Sequence, residues 1–266
     1  MFPRLLIIET RKTAKHPALW LGLGALTALL AFLILIDHAQ IANGYQQDAG
    51  LAQDVLSGLS YFSWIGLLVY AVAASVIAAS DYQDRSIQLW LMRGTARSTF
   101  FLARLTTILL FGLLLVIYAV VALVGLAALS RLLFWGGVDT AYMNWSALPL
   151  VALRLFWSAT PYLGLALFLS VLSRSPWVAA AGVILYGAVA EPFLVRADQY
   201  FPALVRYFPA KLAQVLYEFN RTLDLSTVPS DPSMSALRAG LVIGLLLALC
   251  GSGAFVVFSR QELGGS

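Results

Sequence analysis

Six long apolar runs order this chain, at about residues 17–36, 61–80, 105–127, 151–172, 177–195 and 239–258. Each is continuous and close to the roughly 20 residues that a helix rising 1.5 Å per residue needs to cross a bilayer core. Strands of a membrane barrel would be about 10 residues long and strictly alternating. The pattern therefore predicts six transmembrane helices in an all-α membrane protein. Polar positions mark three further elements. In residues 1–16, Phe2, Leu5, Leu6 and Ile8 can lie in lipid while Arg4, Arg11, Lys12 and Lys15 face phosphates, which predicts an interfacial helix. In residues 196–238, Leu212, Val215, Leu216, Phe219 and Leu223 recur at helical spacing, with Lys211, Gln214, Glu218 and Arg221 on the other face. This amphipathic helix begins at Pro209 and ends at VPSDPS, 228–233; it either caps the spans or simply connects them. The third element, residues 81–104 (DYQDRSIQLWLMRGTARSTFFLAR), is a charged, partly amphipathic island between two uncharged stretches, Val55–Ser80 and Leu105–Ser130.

Composition agrees with the pattern. The chain is 61% hydrophobic and 11% charged, with a mean hydropathy of +0.84, against about 45–50% and about 25% in soluble domains. A single transmembrane domain over 1–266 is expected, with too little soluble sequence for a separate globular domain. The pI near 9.3 does not point to nucleic acid, because the 17 basic residues are scattered through apolar sequence and follow the positive-inside bias. With both termini cytoplasmic, Arg4, Arg11, Lys12, Lys15, Arg85, Arg93, Arg97, Arg104, Arg174 and Arg260 lie inside, and the first outer loop, residues 37–54, holds no lysine or arginine. The expected location is the inner cell membrane, crossed several times. The first apolar run exceeds the 7–15 residues of a typical signal-peptide core and no A-x-A site follows it, so it reads as a retained span. Cys250 is the only cysteine, so no intrachain disulfide forms.

Catalytic motifs are missing. None of the three lysines, Lys12, Lys15 and Lys211, closes a G-x-x-x-x-G-K-[ST] loop, so the chain is not itself a P-loop ATPase. The two histidines, His16 and His38, fall on opposite membrane sides and form no HExxH. Ser252 in CGSGA lacks the G-x-S-x-G elbow. Glycines at 22, 24, 182, 187, 240 and 244 permit close helix approach, either within one subunit or at a dimer seam. Arg154 and Glu191 sit at similar heights above the inner turn at Arg174, and two readings are open: an outer ion pair, or independent snorkelling to the headgroups.

The island resembles the segment between the second and third spans of ABC-2-type transporter permeases. That pattern is roughly an acidic residue, Gly-Thr, a leucine-rich turn, Pro, Ser-Arg, and Lys seven residues on. Here Asp81 and Asp84 stand at the acidic positions, Arg85-Ser86 replaces Gly-Thr, and Leu89 and Leu91 supply the leucines. Gly94 replaces the proline, Arg97 matches the arginine and Arg104 stands for the lysine. The basic elbow ETRKTAKHPALW and the tight turn SVLSRSPWVAAAGV extend the similarity. The resemblance implies a permease subunit of an ATP-binding-cassette transporter that works, in export for most relatives, with a second permease copy or homologue, with membrane lipid around it. Two cytoplasmic ATPase subunits would carry ATP and Mg, leaving this chain without cofactor or enzyme activity. Asp81, Asp84, Leu89, Trp90, Arg93, Arg97 and Arg104 would form the coupling segment, with Arg174 a second contact. Spans one, two and five usually line the pathway, and Trp20, Trp64, Tyr70 and Tyr186 are aromatic candidates there. The competing class is a membrane anchor or scaffold, or a subunit passing mechanical work to an outer partner. The substrate is not readable.

Overall fold

The computed structural model describes residues 2–42, 50–62, 66–83, 87, 90, 92, 94–225 and 234–261. Those residues are almost wholly helical, and no strand occurs among them. Helix α1 (Phe2–Lys15) packs Leu5, Glu9 and Thr13 inward. It leads directly into α2 (Pro17–Ala42), whose first turn begins with proline, the residue that needs no donor there. Helix α3 (Gly50–Tyr61) is short and buries Leu51, Val55, Leu56 and Leu59; α4 (Leu67–Gln83) follows. Helix α5 (Arg97–Trp135) is the longest, 39 residues, and stops where Gly136 takes a φ of 69° and returns its N–H to the Leu132 carbonyl. Helix α6 (Leu148–Ser173) ends at Arg174, α7 (Pro176–Ile184) starts after one more residue, and a π-helical stretch, Leu185–Ala190, joins α7 to α8 (Glu191–Arg196). After α9 (Pro202–Val205) and α10 (Pro209–Glu218), α11 (Ala236–Arg260) closes the bundle, with the Ser235 hydroxyl accepting from the Arg238 N–H at its start.

Five helical segments among the described residues are long and apolar enough to cross a membrane: Leu19–Gln40, Arg97–Trp135, Trp145–Ser173, Pro176–Arg196 and Ala236–Arg260. Five of the six expected spans are thus represented among the described residues. Of the second expected span, α4 (17 residues) and the helical Phe62 and Gly66 are described, and residues 63–65 lie outside the described residues. Part of the expected first outer loop is instead the buried helix α3, whose apolar positions pack against α5.

Helix α6 lies at the centre and touches α4, α5, α7, α10 and α11. Its Pro161 leaves the Trp157 carbonyl without its usual partner, and the Thr160 hydroxyl fills the place at 2.8 Å. Along α5 one stripe is buried, including Ile108, Leu115, Val116 and Leu123. Its opposite face, with Leu110, Leu114 and Val121, is exposed and equally apolar. Helix α11 exposes Leu237, Leu241, Leu245 and Leu249 at one-turn intervals. Helices apolar on both faces are stable only where the outer face meets lipid.

Polar contacts gather at the two ends of the bundle. At one end, Arg104 donates to Glu9 and to the Ile77 carbonyl. Beside it, Arg97 donates to the Ser259 and Gln261 carbonyls, and Gln261 donates to the Val171 carbonyl at 2.7 Å. At the other end, Arg131 pairs with Asp54, the Tyr217 hydroxyl donates to the Leu56 carbonyl, and the 140s loop bonds Leu223 and Leu225. The N-terminal helix and the end of α11 thus share one face. The amphipathic helix expected near 209–223 is α10 and the 3₁₀ turn after it, with Leu212, Val215 and Leu216 packed against Met234, Ala239 and Ile243. Residues 228–233 lie outside the described residues.

Candidate functional site

The island begins at the end of α4 and runs into the first turns of α5. Of its expected coupling residues, Asp84, Leu89 and Arg93 lie outside the described residues, as does Trp64, and for Asp81 only the helical backbone is described. Ile87 is buried and the Trp90 ring packs against the core, while Met92 is 75% exposed. The turn after it uses Gly94 at a φ of 77°, and the Thr95 N–H reaches back to the Trp90 carbonyl at 3.3 Å.

The two arginines carried by the resemblance face inward. Arg97 is half-buried and its guanidinium holds the last carbonyls of α11, where a cation suits the negative end of a helix. Arg104 is 4% exposed and its partners are Glu9 on α1 and Ile77 on α4. An arginine in that place must be paired, because an isolated buried charge is far too costly. These two residues therefore fasten the island to α1, α4 and α11. Arg174 is exposed and sits at a φ of 53°, a left-handed conformation that costs a residue with a side chain about 1 kcal/mol. Among the described residues of the island and the Arg174 turn, Met92 and Arg174 are exposed, and the Phe100 and Phe101 rings at the base pack on Phe258.

The opposite end holds a cluster that the spacing of apolar runs did not reveal. Asp54 accepts two bonds from Arg131, through Nε and at 3.2 Å through Nη2. His38 Nε2 lies 3.1 Å from the same carboxylate. Asp37 accepts from the Tyr61 hydroxyl at 2.9 Å. The Trp135 ring lies 5.5 Å from the Arg131 guanidinium and edge-on to His38. The sequence signal was present: Leu51, Ala52, Val55, Leu56 and Leu59 carry helical spacing through the supposed loop.

Arg154 and Glu191 are not brought together. Arg154 donates to the Phe219 carbonyl and lies 5.6 Å from the centre of its ring. Glu191, 1% exposed, accepts from the Tyr162 hydroxyl at 2.6 Å and from the Ala210 N–H at 2.7 Å. The aromatic candidates also disperse. Tyr70 is buried against Gly112, and its hydroxyl has no partner among the described residues. Trp20 is 64% exposed and donates to the Ala14 carbonyl. Tyr186 lies beside Tyr162. Asn220-Arg221-Thr222 matches the glycosylation sequon, but the Asn220 side chain that would carry a glycan is buried. No group of three His, Cys, Asp or Glu suited to a metal occurs among the described residues. Neither protein-family models nor curated proteins offer a match to this chain.

Proposed function

We propose that this chain is the membrane-spanning subunit of an ATP-driven transporter of the ABC-2 type, with six spans and both termini in the cytoplasm. The observation that carries this reading is the island 81–104: a charged connector between two apolar helices, fastened through Arg97 and Arg104 to α1, α4 and α11. A push on such a segment becomes a tilt of several helices at once, since packed elements move as units. Energy must then arrive from a partner with a phosphate loop, because this sequence has none. Arg97 and Arg104 act in this scheme as internal linkers, and Met92 and Arg174 offer the surface a partner would touch. The second reading, a subunit that transmits force without a pathway of its own, is favoured by Tyr70, which lies buried among α4–α6 side chains.

The test is affinity purification of the tagged full chain from its native membranes, followed by identification of partners and assay of ATP hydrolysis. A co-purifying subunit with a G-x-x-x-x-G-K-[ST] motif and ATPase activity is expected. Met92→Glu with Arg174→Glu should lower its recovery at least about tenfold while leaving the chain in the membrane, the scale of losing an interfacial contact. Full recovery of the ATPase with that double variant, or none with the native chain, would sink the proposal.

A further inference from the structure

A cavity of about 310 Å³ opens between α6, the π-helical stretch, the α9–α10 connection and α11. Its walls include Tyr162, Tyr186, Tyr207, Phe208, Leu246 and Cys250. Ring-bearing residues thus approach it from three separate parts of the chain. Behind the Tyr162 wall stands the Glu191 carboxylate. It is fully buried, and its partners are a phenol and a backbone N–H; no cationic side chain pairs with it among the described residues. The N–H belongs to the first turn of α10, where the helix dipole favours a negative charge. An ionisable group buried at membrane depth and left without a countercharge is expensive, which makes it a marker of ligand recognition.

The backbone around this carboxylate is also irregular. Pro192 cannot donate, and its ring would crowd the carbonyl four residues earlier in an α-helix. The wider π turn over Leu185–Ala190 relieves that crowding and sets Tyr186 beside Tyr162, with ring centres 6.4 Å apart. Two cations contact the lining residue Tyr207: Arg206 stacks over its ring at 4.9 Å, and Arg238 donates to its hydroxyl at 3.0 Å. Both are exposed, so water and salt screen them. A buried charge at an effective dielectric near 20 acts about fourfold more strongly than the same charge in water. The buried carboxylate and the negative faces of the rings are therefore less screened than the exposed arginines.

We infer that this cavity binds a hydrophobic organic cation, a quaternary or protonated amine, held by the faces of Tyr162, Tyr186 and Phe208, with the Glu191 carboxylate behind Tyr162 as its countercharge. Aromatic faces attract such cations most when water is excluded, and the volume falls at the lower end of the range for small-molecule sites. This inference concerns binding and is independent of whether an ATPase partner exists.

Calorimetric titration of the purified full chain in detergent tests it. The probe is benzyltrimethylammonium, compared with neopentylbenzene, its neutral carbon isostere, each against a detergent blank. Saturable binding of the cation, tighter than that of the isostere, is expected. Glu191→Gln should weaken the cation about tenfold and leave the isostere within about twofold. Cys250→Phe, which fills the cavity without touching the carboxylate, should abolish both and serves where the first variant fails to fold. Equal binding of cation and isostere to the native chain would make this a lipid-chain groove and overturn the inference. So would no cation binding, or full cation affinity in Glu191→Gln or in Cys250→Phe.

Discussion

At the scale of single residues, the fold is held at its two ends by buried ion pairs. Arg104 with Glu9 and Arg131 with Asp54 are each nearly inaccessible to water. Both arginines sit on α5, roughly 40 Å apart by helix rise, the thickness of a bilayer with its headgroups. A buried pair need not stabilise relative to apolar residues, but losing one partner strands the other. Arg131→Leu alone should therefore lower stability by roughly 3–5 kcal/mol. The double variant Arg131→Leu, Asp54→Leu should lose clearly less, because neither charge is stranded and His38 keeps only its ring contacts. Thermal unfolding in detergent measures both; losses that simply add would show that the pair is not coupled. The sequence displayed every one of these charges but not their pairing. Arg131 and Asp54 are 77 positions apart, and nothing local links them.

At the scale of elements, apolar run length located the spans well where hydrophobicity alone decides, as in α2, α5, α6 and α11. At α3 and α4 it reports less, because residues 63–65 between them lie outside the described residues and because α3 is set by packing. Gly58 of α3 meets Leu123 of α5 so closely that an added Cβ would lie 2.2 Å from a leucine methyl. That fit seats one face of α3 against α5, and no count of apolar residues reports it. Gly58→Val should cost about 1–3 kcal/mol through overpacking. Leu123→Ala in the same chain should relieve part of that cost by clearing the space. A Gly58→Val chain as stable as the native one would mean that α3 does not pack on α5 in this way. The π-helical stretch was likewise hidden, since its cause is Pro192, a residue that sequence rules read as a helix stop.

For the whole molecule, the sequence suggested which segments share a side, and the hydrogen bonds group the same segments. The end of α4, the start of α5, the turn after α6 and the end of α11 meet around Arg97, Tyr82, Val171 and Gln261, beside Glu9 of α1. The proposed topology, drawn from the positive-inside bias, puts that end in the cytoplasm. Residues 136–147 and 206–225 belong to the other end, joined through Asn144 N–H to the Leu223 carbonyl at 2.8 Å. Orientation is therefore open to a direct measurement. In a background with Cys250→Ala, a cysteine at Ala141, which is exposed in the loop after α5, should react with a membrane-impermeant maleimide in intact cells. A cysteine at Met92 should react only after the membrane is opened. Labelling of Met92→Cys from outside, or protection of Ala141→Cys there, would invert the molecule. Inversion would take the island from the ATP-containing side and leave it nothing to couple.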